Sequence, residues 1–377
     1  MPMRLPVIIA RIGRASLGLH RPSSLAEDRT MPDASVTALR GTIVSFTGDP
    51  FLIDPAKAFV HEPDGLIVCR NGTIEAVGPY GSVRASLPVD VPVTDYSGCI
   101  LSAGFVDTHV HYVQTEMIAS PGKQLLQWVN DYIYPAEEAF ADEAHARSVA
   151  SVFCDTLIRN GTTTACIYCA VYPQSVDALF EEALKRNLLL VAGKCMMDRN
   201  VPEALRDTAQ SGYDESKALI GKWHGKGRLL YAITPRWAGS STSAQLEAAG
   251  ALWREYPDLT LQTHIAENRD EVAFVTSLFP ERKDFLDITI ITASSGGAPF
   301  SAMAFGSPTQ SSPACMSATP RSPIARPRTC SSAAGCFACA WPRTRSGRSM
   351  SASAPISGPE RASPCCARST RPTISQR

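Results

Sequence analysis

The sequence predicts an α/β protein, with a (β/α) TIM-type barrel that is incomplete in this chain and a small N-terminal β-sandwich domain. Three observations support this class. Short β-rich runs alternate with helical stretches from residue 104 to 287, β-rich runs follow one another without helices from residue 36 to 101, and the composition changes abruptly after residue 287. Repeated strand–helix units are typical of parallel sheets, and five in succession favour a barrel over a sandwich.

The first predicted domain covers residues 36–101. Its β-rich runs are separated by Gly, Asp and Pro, which is typical of short strands joined by turns. These runs are Gly41–Phe46, Gly65–Cys69 and Thr73–Val77. Because no helical pattern of comparable length interrupts them, we expect a small β-sandwich-like unit here.

The second predicted domain covers residues 102–287 and contains the first five strand–helix units of the barrel. Strands are predicted at Gly104–Asp107, Thr163–Ala170, Leu188–Lys194, Leu229–Thr234 and Leu259–His264. The clearest helices are predicted at Asp142–Asn160, Ser175–Asn187 and Ser243–Glu255. The pair Asn160-Gly161 is a typical helix stop, because both residue types adopt left-handed backbone angles at helix ends.

The N-terminal residues 1–35 form a predicted extension without ordered structure. The first thirty of them contain five Arg and only two acids. An Arg-containing, acid-poor leader is typical of a transit peptide, but translation that truly begins at Met31 rather than Met1 explains it more simply. We therefore exclude this extension from the predicted fold.

The C-terminal residues 288–377 have a different composition from the rest of the chain. They contain 18 Ser, 15 Ala, 11 Pro and 10 Arg, no Leu or Val, and Glu360 as their one acid. Residues 1–287 contain 26 basic and 35 acidic residues, so a net charge of −9 is joined to one of +9. A composition of this kind provides no apolar face for helices or strands. We expect this Ser/Ala/Pro/Arg-rich tail to be disordered and to be a frameshifted translation.

The charge and hydropathy of the whole chain argue against two classes of partner. Lys and Arg together number 36, as do Asp and Glu, which gives a formal net charge of zero. This balance is not that of a strongly basic nucleic-acid-binding protein. The sequence also has no apolar run of the roughly 18–20 residues that a membrane-spanning helix needs. We expect neither a nucleic-acid partner nor a membrane partner.

Three motifs follow predicted strands, at the ends where barrel enzymes place their active sites. In His109-Val110-His111, residues i and i+2 of an extended segment face the same side, so both imidazoles can bind one ion. Thr263-His-Ile-Ala-Glu267 adds a third imidazole and a carboxylate that is not itself a ligand, and Thr234-Pro-Arg-Trp237 ends the preceding strand. An isolated His-x-His pair is often structural, but this combination favours a metal site.

Residues 38–287 resemble the amidohydrolase superfamily, whose metal-binding start is similar to Ala103-Gly-Phe-Val-Asp-Thr-His-Val-His-Tyr-Val-Gln114. Other segments are similar to its guanine deaminase family, namely Ile118–Pro121, Arg159–Thr164, Met197–Asn200, Ile233–Arg236 and Thr263–Asn268. Members of that family are cytosolic, metal-dependent hydrolases that convert guanine to xanthine and ammonia. The resemblance therefore implies a cytoplasmic enzyme with guanine as its small-molecule substrate and, in the intact family protein, a homodimer.

The resemblance implies a metal site and an acid–base residue. His109, His111 and His264 would bind one Zn²⁺ per chain, with Fe²⁺ as the alternative metal, and Glu267 would be the catalytic proton shuttle. These roles agree with elementary chemistry, because bound Zn²⁺ lowers the pKa of a water to about 7. A Glu then moves the proton to the departing nitrogen in nucleobase deaminases.

The resemblance also implies three substrate-binding residues. Gln114 and Arg236 would bind the polar edge of the purine, and Trp237 would offer a stacking face. The guanidinium group suits this role, because its fixed fork of donors matches the carbonyl and ring-nitrogen acceptors of guanine.

Two metal-binding residues of the family, a His and an Asp on later strands, have no counterpart here, since no His follows His264 and no Asp follows Asp287. If the last base of each codon is read together with the first two bases of the next codon, the coding sequence can encode both missing residues. Residues 299–307 can then encode Val-Phe-Gly-His-Gly-Ile-Trp-Leu, and residues 350–360 can encode Val-Gly-Leu-Gly-Thr-Asp-Ile-Gly-Ala-Gly. Both family motifs occur in order, so we expect that the frame shifts near residue 287 and that the chain as written is impaired.

Two alternatives stay open at this point. The protein could deaminate or hydrolyse another amino-purine or a triazine, which comparative turnover of guanine and those compounds would decide. It could also be a non-catalytic product of a frameshifted gene, and a scaffold role of that kind would need an ordered tail.

Overall fold

The computed structural model describes residues 7–11, 36–121, 124–293, 300–304 and 336–338, with side chains over residues 36–121 and 124–289. Within these ranges a five-stranded sheet is followed by an eight-stranded sheet whose strands alternate with helices. The α/β class predicted from the sequence is confirmed. No helix in this part of the chain is both long enough and apolar enough to cross a membrane.

The N-terminal sheet has the strand order β1-β5-β2-β3-β4. Its strands are β1 (Val7–Arg11), β2 (Val36–Phe46), β3 (Phe59–Arg70), β4 (Thr73–Pro79) and β5 (Val93–Ala103), and its short helices are α1 (Pro55–Ala58) and α2 (Tyr80–Ala85). Strands β2 and β5 are parallel, and the other neighbours are antiparallel. Asn71 and Gly72 join β3 to β4 with φ values of 52° and 72°, the left-handed angles that a two-residue hairpin turn requires.

Apolar side chains pack on both faces of this sheet. Leu66 and Val68 belong to one buried cluster, whereas Ile67, between them in the sequence, packs with Leu101 in another. This alternation follows from the two-residue period of a strand. The three runs predicted as strands between residues 41 and 77 lie in β2, β3 and β4. The described residues form one sheet here, so the second layer of a β-sandwich stays a prediction.

The second sheet has the strand order β13-β12-β11-β10-β8-β7-β6, with β9 beside β10. Its strands are β6 (Phe105–His111), β7 (Thr162–Tyr168), β8 (Leu189–Gly193), β9 (Cys195–Met196), β10 (Leu230–Pro235), β11 (Thr260–Ile265), β12 (Phe300–Ala304) and β13 (Cys336–Ala338). All neighbours are parallel except β12 and β13. The five predicted strands are confirmed. The largest difference is in the first, which continues to His111 instead of ending at Asp107.

Eight helices connect or flank these strands in the described ranges. They are α3 (Leu125–Trp128), α4 (Tyr134–Glu138), α5 (Glu143–Arg159), α6 (Pro173–Lys185), α7 (Ala209–Trp223), α8 (Ser243–Glu255), α9 (Arg269–Leu278) and α10 (Phe285–Ala293). The three predicted helices correspond to α5, α6 and α8. Helix α5 begins where Asp142 Oδ1 accepts from the His145 N–H at 3.0 Å. It ends before Asn160-Gly161, with Gly161 at φ 80°, as the sequence predicted.

The core lies between the second sheet and its helices. After its first residue, each of β10 and β11 is buried along its whole length, which is the pattern of parallel strands covered on both faces. Large apolar side chains from successive helices, including Phe180, Trp223 and Trp253, pack in one cluster with these strands. This packing fixes the carboxyl ends of β6, β10 and β11, where the predicted site residues lie.

Regular structure continues beyond the predicted boundary at residue 287. Helix α10 ends at Ala293, and β12 lies parallel to β11. Most of the predicted tail, and most of the predicted extension at residues 1–35, lie outside the described residues. In the part that is described, β6 pairs with β7 alone, so the sheet is open at this edge. A parallel α/β fold is therefore established, and the incomplete barrel stays a prediction.

Candidate active site

Three imidazoles from two strands meet at the carboxyl ends of the second sheet. His109 and His111 are at the end of β6, and His264 is near the end of β11. One nitrogen from each ring lies within 4.8 Å of the others. Strands β7, β8 and β10 separate β6 from β11 in the sheet, so the sheet must curl to bring these rings together. The predicted grouping of the three histidines is present in the structure.

Hydrogen bonds determine which nitrogen of His264 faces the cluster. Its backbone N–H and its Nδ1 lie 2.9 and 2.8 Å from the Arg236 carbonyl oxygen. A carbonyl oxygen can only accept, so Nδ1 carries the proton and Nε2 keeps its lone pair. That Nε2 lies 3.0 Å from His111 Nε2. Two nitrogens bound tetrahedrally to zinc at about 2.0–2.1 Å would lie about 3.3 Å apart, so the spacing suits a shared metal ion.

Burial keeps the three imidazoles neutral. Desolvation lowers the pKa of His109 to about 4, and the charge of Arg236 adds to the shift. The pKa values of His111 and His264 are also well below the usual value, again chiefly because of burial. A metal ligand must be a neutral imidazole. Among the described residues, His111 Nδ1 is buried without a hydrogen-bond partner. Three neutral imidazoles with one ring nitrogen each within 4.8 Å of the others fit a divalent cation.

Tyr168, at the end of β7, packs against the three rings. Its ring stacks on His111 with a centroid distance of 4.6 Å and an interplanar angle of 16°. It also contacts His264 at 4.4 Å and His109 at 5.0 Å. These contacts restrict the orientation of the imidazoles. Tyr168 is only 1% exposed, so its ring also excludes water from one side of them. The sequence reasoning missed this residue, although its position at a strand end is a usable signal.

Glu267 follows β11 through an unusual turn. Ala266 has a φ of 54°, a left-handed conformation that is uncommon for a residue with a β-carbon and that often occurs at functional sites. Burial raises the pKa of Glu267 to about 7, repulsion from Glu271 adds to the rise, and Arg236 opposes it. Near neutral pH this carboxyl group can therefore both accept and donate a proton. It is not one of the three histidines whose ring nitrogens lie within 4.8 Å of one another.

Glu271 fixes the backbone that presents Glu267. Its Oε2 accepts from the Glu267 N–H at 2.6 Å and from the Asn268 N–H at 3.0 Å. Together with Asn268 it forms a capping box at the start of α9. The sequence Asn268-x-x-Glu271 is the known signature of such a cap, so this residue could have been identified from the sequence.

Replacing Glu271 with alanine should lower the free energy of unfolding by about 0.5–2 kcal/mol, the usual effect of losing a helix cap. Glu271→Gln should lose less, because the amide oxygen can still accept from both N–H groups. Urea denaturation measures the effect, with Glu247→Ala on the exposed face of α8 as the matched control. Equal stability of Glu271→Ala and this control would show that the cap does not hold the turn.

Arg236 follows β10 and is buried against a carboxylate. Its Nη1 lies 2.5 Å from Glu137 Oε2, and the Glu137 side chain is 0% exposed. Burial alone would lower the pKa of Arg236, but Glu137 raises it above the usual value. The Tyr134 ring lies beside the guanidinium, 5.9 Å from its carbon to the ring centroid. The sequence predicted Arg236 and missed Glu137.

One cavity of about 470 Å³ joins the predicted residues. Its wall includes Gln114, from the turn after β6, and Trp237, whose ring lies 6.0 Å from that of Phe274. All seven predicted site residues line it, namely His109, His111, Gln114, Arg236, Trp237, His264 and Glu267. The remaining wall is largely apolar and includes Leu126, Trp128 and Phe274. Apolar walls with a few convergent polar groups are typical of small-molecule sites.

A histidine cluster, a buried carboxylate and an arginine share one cavity at the carboxyl ends of a parallel sheet, an arrangement typical of metal-dependent enzymes that act on small molecules. The profile of the amidohydrolase family matches residues 100–294. This match covers more than half of the chain, and the chain belongs to the amidohydrolase family.

The curated proteins with similar sequences include guanine deaminases. The guanine deaminase of Escherichia coli is 45% identical over 257 residues, which are 67% of this chain and 58% of that protein. A probable guanine deaminase of Deinococcus radiodurans is 39% identical over 252 residues, 66% of this chain and 57% of that protein. This chain therefore spans less than two thirds of the length of these relatives.

Solved structures that resemble this chain also include guanine deaminases. The E. coli guanine deaminase structure has a TM-score of 0.66 and 44% identity, covering 68% of this chain and 60% of that one. The guanine deaminase of Bradyrhizobium japonicum has a TM-score of 0.68 and 37% identity, covering 71% and 58%. That of C. acetobutylicum, which has guanine bound in its active site, has a TM-score of 0.63 and 25% identity, covering 71% and 61%.

Proposed function

We propose that this protein is a metal-dependent hydrolase of the kind that converts guanine to xanthine and ammonia, and that the chain as written is impaired in this activity. The observation that supports this most directly is the shared cavity, in which a candidate metal centre, a proton-transfer group and an arginine face one another. The relatives of 45% and 39% identity are described as a guanine deaminase and a probable one, which favours guanine over other amino-purines and triazines. One similar structure holds guanine in its active site.

We assign His109, His111 and His264 as ligands of one Zn²⁺. When bound, the metal would supply a reactive water at neutral pH, because it lowers the pKa of that water to about 7. The protein orients the three imidazoles and excludes water from one side of them. The Arg236 carbonyl fixes the tautomer of His264, and the buried Tyr168 ring packs against all three imidazoles. Such supporting contacts usually orient metal-ligating imidazoles.

The purine would be bound by residues of the cavity wall. Arg236 can donate two parallel hydrogen bonds to the carbonyl oxygen and ring nitrogen of guanine. Gln114 offers both a donor and an acceptor, and the Trp237 ring provides an apolar face for stacking. A site that buries polar groups discriminates strongly, because a substrate without matching groups leaves them unpaired.

Glu267 would transfer the proton. The reaction forms a C–O bond at the ring carbon that bears the amino group and breaks the C–N bond, so one water is consumed and one ammonia is released. Glu267 takes a proton from the attacking water and delivers it to the departing nitrogen. With a pKa of about 7, it can do both near neutral pH, where a general acid–base residue is most effective.

The activity test uses a frame-restored chain, in which one nucleotide is inserted after the Asp287 codon. We expect it to bind about one zinc ion per chain and to form xanthine from guanine. In His264→Ala, zinc content and xanthine formation should both be lost, because one ligand is missing. His61→Ala is the control, since this imidazole is exposed on β3. Turnover of another amino-purine or a triazine with none of guanine would contradict the proposal.

A further inference from the structure

Glu137 is a buried carboxylate for which the proposed reaction has no direct use. Its side chain is 0% exposed, and the one ion pair that the described residues give it is with Arg236. Its other oxygen, Oε1, is buried without a hydrogen-bond partner in the described part of the chain. Burying an ionised carboxylate is costly unless a partner compensates it. The ion pair with Arg236 is therefore what compensates the burial of Glu137.

The Glu137–Arg236 pair connects two walls of the cavity. The two residues are 99 positions apart in the sequence. Helix α4, which contains Glu137, follows a single π-helical turn at Val129–Ile133. Val129, Ile133 and Tyr134 from this segment all line the cavity, as does Arg236. An arginine that is anchored at one nitrogen presents its remaining donors in a fixed direction, because the guanidinium is planar and rigid.

The pair also affects the charge near the candidate metal centre. Arg236 lines the same cavity as the three histidines, and its carbonyl oxygen accepts from His264 Nδ1 at 2.8 Å. An uncompensated positive charge in this cavity would oppose the binding of a cation to the imidazoles. The Glu137 carboxylate supplies a compensating negative charge at 2.5 Å from the guanidinium. Arg236 can then lie beside a divalent cation without repelling it strongly.

We propose that Glu137 is a positioning residue that aims Arg236 at the purine edge and supplies the counter-charge that allows a metal ion beside it. The positioning of Arg236 toward guanine rests on the proposed function. The counter-charge role concerns metal binding by the three histidines and can be tested without any enzymatic turnover.

The test uses the full frame-restored chain, freed of metal, and two equilibrium titrations, one with Zn²⁺ and one with guanine. In Glu137→Gln we expect guanine binding to weaken by about tenfold or more, as for a disturbed charged hydrogen bond. Zn²⁺ binding should weaken by about threefold to tenfold, because an uncompensated charge then faces the site. Glu137→Asp keeps the charge and should recover most of the Zn²⁺ affinity. Glu138→Gln, one residue further on the same helix, should match the unaltered chain.

A double substitution keeps the inference testable if Glu137→Gln folds poorly. Glu137→Gln combined with Arg236→Gln leaves no buried charge unpaired. If Glu137 acts through Arg236, adding Glu137→Gln to Arg236→Gln should change neither affinity further. Equal Zn²⁺ affinity in folded Glu137→Gln and Glu138→Gln would overturn the counter-charge role, and unchanged guanine affinity would overturn the positioning role. A chain that binds no guanine would contradict the proposed function, and the Zn²⁺ titration would still decide the role of Glu137.

Discussion

Replacing Glu267 with glutamine in the frame-restored chain should leave its zinc content unchanged and lower guanine turnover by about 10²–10⁴-fold, the usual contribution of a positioned acid–base group. Glutamine has nearly the same shape, but its amide cannot accept and return a proton. Zinc should stay bound because Glu267 is not among the three histidines that we propose as its ligands. Steady-state xanthine formation and metal analysis of the same preparation measure both quantities.

The control for this substitution is Glu247→Gln, which makes the same chemical change on the exposed face of α8. It should retain the turnover of the unaltered frame-restored chain. If Glu267→Gln also retained full turnover, another group would have to transfer the proton, and Glu267 would only shape the cavity. A loss of zinc in Glu267→Gln would instead indicate that this carboxylate supports the metal site.

Much of the second sheet could be predicted from the sequence because short β-rich segments alternate there with longer helical stretches. The predicted Leu229–Thr234 and Leu259–His264 differ from β10 and β11 by only one residue at each end. The segment between residues 112 and 141 has no comparable period. Its short helices and π-helical turn follow from packing against the cavity, which a local pattern does not contain.

The candidate site likewise contains residues that could be predicted from the sequence and residues that could not. His109, His111 and His264 could be predicted because the carboxyl ends of parallel strands meet at one face of the sheet. Glu137 could not, because Glu137-Glu138 resembles an ordinary solvated pair on a helix. Only the pairing with Arg236, distant in the sequence, buries the first of the two carboxylates. Ion pairs between distant segments have no signal in a single sequence.

Restoring the reading frame after Asp287 should convert a chain with little or no guanine turnover into an active one. The first reason is the position of the additional histidine. In the regrouped codons it falls at the junction of residues 302 and 303, and β12 contains both. Strand β12 is parallel to β11, with Ala302 paired to Thr263 and Met303 paired to His264. A histidine here would lie one strand away from His264 in the sheet.

The second reason is the open edge of the sheet. In a closed barrel the first strand pairs with the last, whereas in the described ranges β6 has β7 as its one neighbour. Phe105 and Val106 on β6 are 61% and 46% exposed. Exposed apolar edge strands promote aggregation. The regrouped codons can encode Val, Leu, Ile and Phe, residues that can pair with and cover such an edge, whereas the sequence as written has no Leu or Val after residue 287.

Three forms of the gene make the comparison decisive: the sequence as written, the one-nucleotide insertion that restores the frame, and a one-nucleotide deletion that gives the third frame. We expect only the insertion to yield mostly soluble protein with about one zinc ion per chain and measurable xanthine formation. The deletion controls for altered tail composition, since it changes the sequence after Asp287 without restoring the frame of the two family motifs. Equal turnover in the written and the restored chains would contradict the frameshift, because the written tail provides neither a histidine nor an aspartate for the site. The three histidines and Glu267 would then have to suffice without the later His and Asp of the family.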